Sequence, residues 1–324
     1  MPCFHPIDGW YANSLNQNGK RSVTFKWHEA FLDMPVQVAC GRCIGCRLER
    51  SRQMALRMMH ESELHEENCS LTLTYNDESL PHRFIASYDV FGNPVYSGGL
   101  DRNHVPGFMK RLRWHCKRKI SYYYCGEYGD ENNRPHYHVL IFGLEFPDKQ
   151  LCGKSHAGFD LYSSDVLSSL WRKGHCTIGQ VNFESAAYAA RYILKKINGD
   201  EAKAITWDGC PGPYTSIDVE SGEIILREPE FAFGSTKPGI GRRWLEKFKS
   251  DVFPSDSVIH RGLEVRPPKY YGQILEKIDS ALFADIKLRR RIEAVSRKED
   301  STAERLSVRE RVKRAQLSML KRSL

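Results

Sequence analysis

The chain has 324 residues, of which 41% are hydrophobic and 27% are charged. Such a chain can bury a core, which excludes wholesale disorder. No apolar run approaches the ~20 residues that span a bilayer, and the N-terminus lacks the charged and apolar regions of an export signal. We therefore expect neither membrane insertion nor secretion, and we expect the ten cysteines to be thiols or metal ligands rather than disulfides.

The positive charge is concentrated at the C-terminal end. The formal net charge is +8, and residues 281–324 alone carry 13 Lys and Arg against 6 Asp and Glu. The rest of the chain is therefore almost neutral. If the body of the protein binds nucleic acid, it does so through local patches, and the tail adds long-range attraction.

A cysteine motif, CGRCIGC at residues 40–46, follows an irregular start over residues 1–39. Thiolates at this spacing are suited to Zn²⁺, although an iron–sulfur cluster uses the same ligands and three free thiols in a turn are the simpler alternative. The candidate ligands are Cys40, Cys43, Cys46 and, as the fourth, Cys3, His5 or Cys69. Residues 47–67 then predict a helix with one basic and one apolar face.

The next elements are a strand, a loop and a basic helix. Residues 71–75 alternate with period two and predict a half-buried strand, whereas residues 76–103, rich in Pro, Gly, Asn and Asp, predict a loop. Residues 105–119 predict a helix. Its cations and tryptophan are suited to binding along a DNA strand, with the tryptophan stacking on bases. The alternative, which is more common for a basic helix, is a charged face exposed to solvent. These candidate DNA-binding residues are Lys110, Arg111, Arg113, Trp114, Lys117, Arg118 and Lys119.

Residues 120–128 and 136–142 are β-prone and flank turn residues, so they predict a hairpin. In the second strand His136 and His138 point to one face, and Glu127 lies across from His136 if the hairpin turns near residues 131–132. Two imidazoles and a carboxylate favour Mg²⁺ or Mn²⁺ with open positions, and Zn²⁺ could bind as well. Two ordinary histidines on a strand are the alternative.

Residues 183–196 predict a helix on which Tyr188 and Tyr192 lie on one face, with Arg191 and Lys195 each three positions after a tyrosine. A tyrosine hydroxyl has an ordinary pKa of ~10, so it attacks a phosphodiester only where a cation or a metal favours the phenolate. The product would be a phosphotyrosine ester. The alternative is an amphipathic helix with two half-buried tyrosines.

The sequence contains no complete GxxxxGK[ST], so we expect no ATP motor.

Taken together and in this order, these motifs resemble the HUH endonucleases, named for two histidines that flank a hydrophobic residue. The chain is most similar to the replication initiators of microviruses, of the gokushovirus type. The stretches that carry the resemblance are CGRCIGCR (40–47), LTLTY (71–75), CGEYG (125–129), RPHYHVLIFG (134–143), FESAAYAARY (183–192) and PGIG (238–241).

The resemblance implies an α+β fold: an HUH endonuclease-like central antiparallel sheet flanked by helices, with an N-terminal Cys-rich element and a charged helical C-terminal tail. It also implies the roles of single residues, although the third metal ligand varies between branches, and Arg191 stands where related sequences often have Lys. The implied metal ligands are His136, His138 and Glu127. The implied catalytic residues are the nucleophiles Tyr188 and Tyr192, assisted by Lys195 or Lys196.

The implied function is initiation of rolling-circle DNA replication in the cytoplasm of a host bacterium, by a metal-dependent nickase that forms a 5′-phosphotyrosine intermediate. Mg²⁺ or Mn²⁺ would be the cofactor, with a possible structural Zn²⁺, and the partners would be single-stranded origin DNA and the host helicase and polymerase. The alternatives are a single-tyrosine transposase or relaxase, a non-catalytic zinc-stabilised DNA-binding protein and a small-molecule metalloenzyme.

The expected domain organisation has four parts. They are a Cys-rich segment with a basic helix (1–66), a nuclease core (67–200), an insertion and accessory region completing the core (201–276) and a basic helical tail (277–324).

Overall fold

A computed structural model describes residues 3–17, 19–129, 133–155, 158–195 and 212–319. These residues contain eight helices and a seven-stranded antiparallel sheet, which confirms the predicted α+β fold. The helices are α1 (Ile44–Ser62), α2 (His104–Cys116), α3 (Asp165–Trp171), α4 (Phe183–Lys195), α5 (Arg242–Val252), α6 (Lys269–Ile278), α7 (Ser280–Ser296) and α8 (Ala303–Ser318). Among them, none combines the length and the apolar character of a bilayer span.

The large sheet has the strand order β14-β7-β8-β4-β11-β10-β9, and each neighbouring pair is antiparallel. Its strands are β4 (Asn68–Thr74), β7 (Ser121–Tyr128), β8 (Pro135–Phe142), β9 (Gln150–Lys154), β10 (Asp160–Ser163), β11 (Cys176–Gly179) and β14 (Phe231–Gly234). The smaller sheets contain β1 (Ile7–Leu15), β2 (Arg21–Thr24), β3 (Ala30–Val38), β5 (Phe84–Tyr88), β6 (Pro94–Ser97), β12 (Thr215–Ile217), β13 (Ile224–Leu226), β15 (Val258–His260) and β16 (Leu263–Val265).

The large sheet is covered on both faces, because alternate side chains of its central strands are apolar on each side. On one face Tyr137, Val139 and Ile141 of β8 pack with α2 and α3. On the other face Leu140 and Phe142 pack with alanines of α4 and with α1. The residues that precede them on this second face are His136 and His138, so we call it the histidine face.

The chain divides into two compact units. One contains the residues up to Arg50 together with those from Ala281 onward, and within it β1, β2 and β3 form a three-stranded sheet. The other contains residues 51–280 and holds the seven-stranded sheet. The expected four-part domain organisation stays a prediction.

Several predicted elements differ from the structure. Residues 1–39 were expected to be irregular, but β1, β2 and β3 form a sheet there; most of their side chains are exposed, so the strands carry no alternating apolar signal. The helix predicted over residues 47–67 is α1, which starts and ends earlier.

Two further differences lie beyond α1. Residues 76–103 were expected to form a loop, but β5 and β6 form a hairpin there, because the Asp89 side chain accepts hydrogen bonds from the backbone N–H groups of Phe91 and Asn93 and so stabilises the turn. The basic helix ends at Cys116 rather than at residue 119, because Lys117 adopts a left-handed conformation (φ 51°) and its N–H caps the helix.

Candidate active site

Glu127, His136 and His138 meet on the histidine face, and we call them the His–Glu group. The register of β7 against β8 places Glu127 directly opposite His136. Oε1 of Glu127 lies 2.7 Å from Nε2 of His136 and 2.9 Å from Nε2 of His138. Adjacent ligands of a Mg²⁺ ion would be about 3 Å apart, as its ligand distances of 2.0–2.1 Å imply for octahedral geometry. The three donor atoms therefore fit a small divalent cation, as expected for the hairpin.

The hydrogen-bond partner of Nδ1 in each imidazole orients the ring and affects whether Nε2 can bind a metal ion. Nδ1 of His136 lies 3.2 Å from the carbonyl oxygen of Arg134, which can only accept, so Nδ1 carries a proton. In a neutral ring, Nε2 then carries a lone pair, and this lone pair faces Oε1 of Glu127 at 2.7 Å. Two acceptors at that distance need a proton or a metal ion between them. His138 is held in turn by the hydroxyl of Thr72, 3.3 Å from its Nδ1.

Glu127 is only 1% exposed, yet it is held in its charged form. Burial acts to raise the pKa of its carboxyl group. Hydrogen bonds from His136 and His138, which require a proton on each Nε2, outweigh burial and lower that pKa to about 2. A buried carboxylate that stays charged attracts a cation strongly, because little water competes for it.

Helix α4 places Tyr188 beside the His–Glu group. The helix begins at a capping box, in which Oδ1 of Asn182 accepts from the backbone N–H of Ser185 and the Ser185 hydroxyl accepts from that of Asn182. Among residues 183–190 of the helix, the buried side chains are small and belong to Ala186, Ala189 and Ala190. These side chains let the helix backbone approach the sheet closely.

The Tyr188 hydroxyl donates to Oε1 of Glu127 over 3.4 Å, and its ring meets the ring of His138 edge-on at 5.0 Å. Tyr188 is thus brought to the predicted metal ligands. Tyr192 also lies in α4, but its side chain and those of Arg191 and Lys195 lie outside the described part of the structure, as does all of Lys196. Their predicted roles stay predictions.

A cleft of about 440 Å³ opens beside Tyr188 and His138. Its walls come from β4, from the N-terminal turn of α4 and from the β9–β10 hairpin. They include the polar side chains of Thr72, Lys154 and Asn182. The cleft therefore gives a ligand access to the tyrosine and one imidazole along walls that combine apolar surface with these polar side chains.

Comparison with known proteins identifies the family. Residues 68–197 match the family model described as replication-associated protein ORF2/G2P. The chain is 32% identical over 239 residues to the replication-associated protein VP4 of Bdellovibrio phage phiMH2K, a match that covers 74% of this chain and 67% of that protein. The chain belongs to the microvirus replication-associated proteins.

Two further microvirus replication-associated proteins are similar to the chain. The ORF2 protein of Spiroplasma virus 4 is 29% identical, over 74% of this chain and 68% of that protein. The ORF4 protein of Chlamydia phage 1 is 26% identical, over 74% of this chain and 54% of that protein. No solved structure matches the chain significantly. The family model spans both members of the β7–β8 hairpin and α4, so it contains the whole His–Glu group and Tyr188.

This replication-associated protein also brings together Cys3, Cys40, Cys43 and Cys46, which we call the cysteine cluster. Their sulfur atoms all lie within 4.8 Å of one another. The two alternative fourth ligands lie elsewhere, since His5 pairs with Glu310 and Cys69 is buried in the core of the large sheet. Among the residues that the structure describes, two groups could therefore hold a metal ion, one of thiols and one of imidazoles with a carboxylate.

The predicted DNA-binding residues of α2 do not join the site. Helix α2 packs on the face of the large sheet opposite to the histidine face. Three of the cations have partners within the protein. Arg111 donates to the carbonyl of Leu170, and Arg113 donates to that of Ile120. Arg118 pairs with Glu67. Trp114 is 81% exposed. DNA binding by this patch stays a prediction.

Sequence reasoning missed the residues that support the site from other elements, namely Thr72, Lys154 and Asn182. The alternation of residues 71–75 predicts a strand but does not give its neighbour, so the contact between Thr72 and His138 could not be foreseen. The signal for Asn182 was present, because Asn followed by Ser three residues later, just before a helix, is a capping pattern.

Proposed function

We propose that the protein initiates rolling-circle replication by cutting one DNA strand through a tyrosine of α4, at a divalent cation held by the His–Glu group. The observation that carries the proposal is the approach of the Tyr188 hydroxyl to within 3.4 Å of the Glu127 oxygen on which both histidines converge. A nucleophile, a cation site and an open cleft lie together there, as a phosphoryl-transfer site requires.

Membership of the microvirus replication-associated proteins supports the same reaction class. The relatives are named for replication, and a circular genome is copied by a rolling circle only after one strand has been cut. Because the sequence contains no complete nucleotide-binding loop, a host helicase and a host polymerase would supply unwinding and synthesis. The reaction would take place in the cytoplasm of the host bacterium.

The Tyr188 oxygen attacks the phosphorus of a phosphodiester. A bond forms between this oxygen and the phosphorus, while the bond from the phosphorus to the 3′ oxygen breaks. The phenol loses its proton and the leaving 3′ oxygen takes one, so the step is balanced. The DNA is left attached through a 5′-phosphotyrosine, and the free 3′ hydroxyl can prime synthesis. After one circuit a second cut would free another 3′ hydroxyl. Attack by that hydroxyl on the first phosphotyrosine link would release the tyrosine and close a circle.

The residues around Tyr188 prepare this step. His136 and His138 are held with Nε2 toward Glu127, and their Nδ1 atoms are fixed by the Arg134 carbonyl and the Thr72 hydroxyl. When bound to these three residues, Mg²⁺ or Mn²⁺ would polarise the phosphate and stabilise the charge that develops on it. Lys154 and Asn182 line the cleft where we place the DNA strand.

Tyr192 is proposed as the second nucleophile, with Lys195 or Lys196 assisting and Arg191 contacting DNA. It lies one helical turn from Tyr188 in α4, so both hydroxyls would act from the same helix. Two tyrosines would allow one to cut the regenerated origin while the other still holds DNA. A single-tyrosine enzyme would need a second subunit for that step.

A covalent-trapping assay tests the proposal. The full-length protein would be incubated with random-sequence single-stranded oligonucleotides and Mn²⁺ or Mg²⁺, denatured and examined on a gel for protein-linked DNA. We expect an adduct that retains a label at the 3′ end of the DNA, loses a label at the 5′ end and disappears with EDTA. The Tyr188→Phe, Tyr192→Phe double variant and the His138→Ala variant should form none.

Tyr88→Phe is the matched control, because Tyr88 is exposed on the β5–β6 hairpin and should leave the adduct unchanged. DNA binding without an adduct under any divalent metal would overturn the proposal in favour of a non-catalytic DNA-binding protein. Complete loss of every cleavage product in one single tyrosine variant would favour a one-tyrosine enzyme. Turnover of a small molecule without DNA would favour a metalloenzyme of another class.

A further inference from the structure

The cysteine cluster joins parts of the chain that are far apart in sequence. Cys3 precedes β1, Cys40 follows β3, and Cys43 and Cys46 lie at the start of α1. The sulfur atom of Cys3 is 3.7 Å from that of Cys40 and 4.0 Å from that of Cys43. A disulfide would need about 2.05 Å, so these are separate thiols.

These distances match one tetrahedral metal ion. Four sulfur atoms at 2.3 Å from a central Zn²⁺ are about 3.8 Å from one another. The separations of 3.7 and 4.0 Å between sulfur atoms lie close to that value, and none exceeds 4.8 Å. A four-iron cluster binds each thiolate to a different iron and would hold the sulfur atoms further apart.

Backbone N–H groups already point at the sulfur atoms. The amide of Phe4 donates to Cys43, that of Cys40 to Cys3, and that of Cys43 to Cys40, each over 3.3 Å. Such bonds stabilise thiolates, which are the form that binds metal. Cys3 and Cys43 are buried, so water does not compete for this pair.

We propose that the cysteine cluster binds one structural Zn²⁺ that fastens the start of β1 and the end of β3, which lie side by side in the three-stranded sheet, to the start of α1. The site is separate from the His–Glu group, and the proposal does not depend on the proposed function. All four positions are filled by protein ligands, which is the arrangement of a structural rather than a catalytic zinc site.

The three-stranded sheet needs such a fastening because it has little core of its own. In residues 3–17 and 19–39 the buried positions are occupied only by small side chains, namely Cys3, Gly9, Ala12, Thr24 and Ala30. Large apolar side chains of the same strands are exposed, among them Leu15 and Leu32. A small sheet with so little buried apolar area is marginal without a disulfide or a metal ion.

The cluster also acts on the C-terminal helix. His5, two residues after Cys3, lies with Nε2 2.6 Å from Oε2 of Glu310 in α8. Glu310 is 8% exposed and also binds Arg314 at 2.8 Å. Fixing Cys3 therefore holds His5 at its partner, so loss of the metal should loosen α8 as well as the sheet.

The test measures zinc on the purified full-length protein. Elemental analysis should find one Zn²⁺ per chain, and titration with a mercurial should release it as the cluster thiols react. Replacement by Co²⁺ should give the absorption of a tetrahedral thiolate site. Cys43→Ser should lose the zinc, and hydrogen exchange should then rise at least tenfold in β1, β3 and α8.

Cys152→Ser is the matched control, since Cys152 is an exposed thiol of β9, and it should keep the zinc and the protection. The His136→Ala, His138→Ala double variant should also keep the zinc, which separates this site from the proposed catalytic one. A chain without zinc, with iron in its place, or with zinc that is lost from the histidine variant but not from Cys43→Ser, would overturn the proposal. Unchanged exchange in β1 and α8 of zinc-free protein would overturn the structural role.

Discussion

At the scale of residues, the contact between Nε2 of His136 and the Glu127 carboxylate decides whether the His–Glu group can bind a metal ion. The backbone carbonyl of Arg134 accepts a hydrogen bond from Nδ1–H of His136, and this leaves Nε2 facing the Glu127 carboxylate at 2.7 Å. The pair is stable only with a positive charge between the two atoms. A proton or a metal ion can provide that charge, and the choice between them separates a structural pair of histidines from a catalytic site.

Glu127→Gln tests that choice. The amide keeps the size of the side chain but removes its charge, so we expect Mn²⁺ affinity, measured by calorimetry on zinc-loaded protein, to fall at least tenfold. Adduct formation should fall with it. Glu78→Gln, which changes an exposed carboxylate, is the control and should bind Mn²⁺ like the wild type. Equal Mn²⁺ affinity in the Glu127→Gln variant would contradict a metal role for this carboxylate.

His60 makes stability depend on pH. It is 4% exposed, stacks on Trp244 with ring centroids 3.7 Å apart and meets the Tyr271 hydroxyl at 2.8 Å. Burial, followed by the charge of His260, lowers the pKa of His60 to about 4. The unfolded chain takes up a proton near pH 6.5, well before the folded one. The stabilisation by neutral His60 is therefore complete above about pH 6.5 and is lost as pH falls toward 4.

Urea unfolding of wild type and His60→Phe at pH 7.5 and 4.5 measures this contribution. We expect the free energy of unfolding of the wild type to fall between these values by about 2.5 kcal/mol more than that of the variant. His175→Phe, at an exposed histidine, should behave like the wild type. Identical pH dependence in wild type and His60→Phe would show that His60 is not buried in its neutral form.

At the scale of elements, the site depends on the position of α4. The helix starts at the Asn182 capping box and rests on alanines, so the register of Tyr188 follows from where the helix begins. A frayed first turn would leave Tyr188 less well placed against Glu127. Activity should therefore respond to the cap by more than stability alone explains.

Asn182→Ala and Ser164→Ala form a matched pair. Each removes a helix cap, the first from α4 and the second from α3, whose cap accepts from the N–H of Leu167. Both should cost about 1 kcal/mol in the free energy of unfolding. Only Asn182→Ala should slow adduct formation, because α3 packs on the opposite face of the sheet. Equal rates in the two variants would mean that the cap does not position Tyr188.

The sequence predicted well those elements whose signals are local. The β7–β8 hairpin, α4 and the position of Glu127 opposite His136 followed from alternation and turn residues, and the structure has all three. The β5–β6 hairpin was missed because its strands are only five and four residues long. Which strand lies beside His138, and which face carries α2, depend on pairings between distant residues, so neither could be inferred from spacing.

At the scale of the whole molecule, the excess of positive charge and the candidate active site lie in different parts of the chain. The strongly basic segment from residue 281 onward belongs to one compact unit, and the His–Glu group belongs to the other. Many cations of the tail have acidic partners, such as Arg289 with Asp285 and Arg297 with Glu293. We therefore expect the tail to attract DNA without specifying sequence.

Salt dependence measures that attraction. Lys287 and Arg291 are exposed in α7, and changing both to Gln should weaken binding to single-stranded DNA and reduce the slope of log affinity against log salt by roughly 1.4 if both contact phosphate. Lys20→Gln with Lys26→Gln removes the same charge far from the tail in sequence and should leave the slope nearly unchanged. An equal reduction by both pairs would mean that only total charge matters.

The central claim is that a tyrosine of α4 attacks DNA at the His–Glu group, and peptide mapping of the trapped adduct tests it most directly. Trypsin cleaves after Arg191, so Tyr188 falls in the peptide of residues 174–191 and Tyr192 in that of residues 192–195. After nuclease digestion, mass spectrometry should find the residual nucleotide on the peptide of residues 174–191, only when divalent metal was present. A nucleotide on Tyr192 alone would overturn the assignment of Tyr188 as the first nucleophile. A nucleotide on neither peptide would contradict the account.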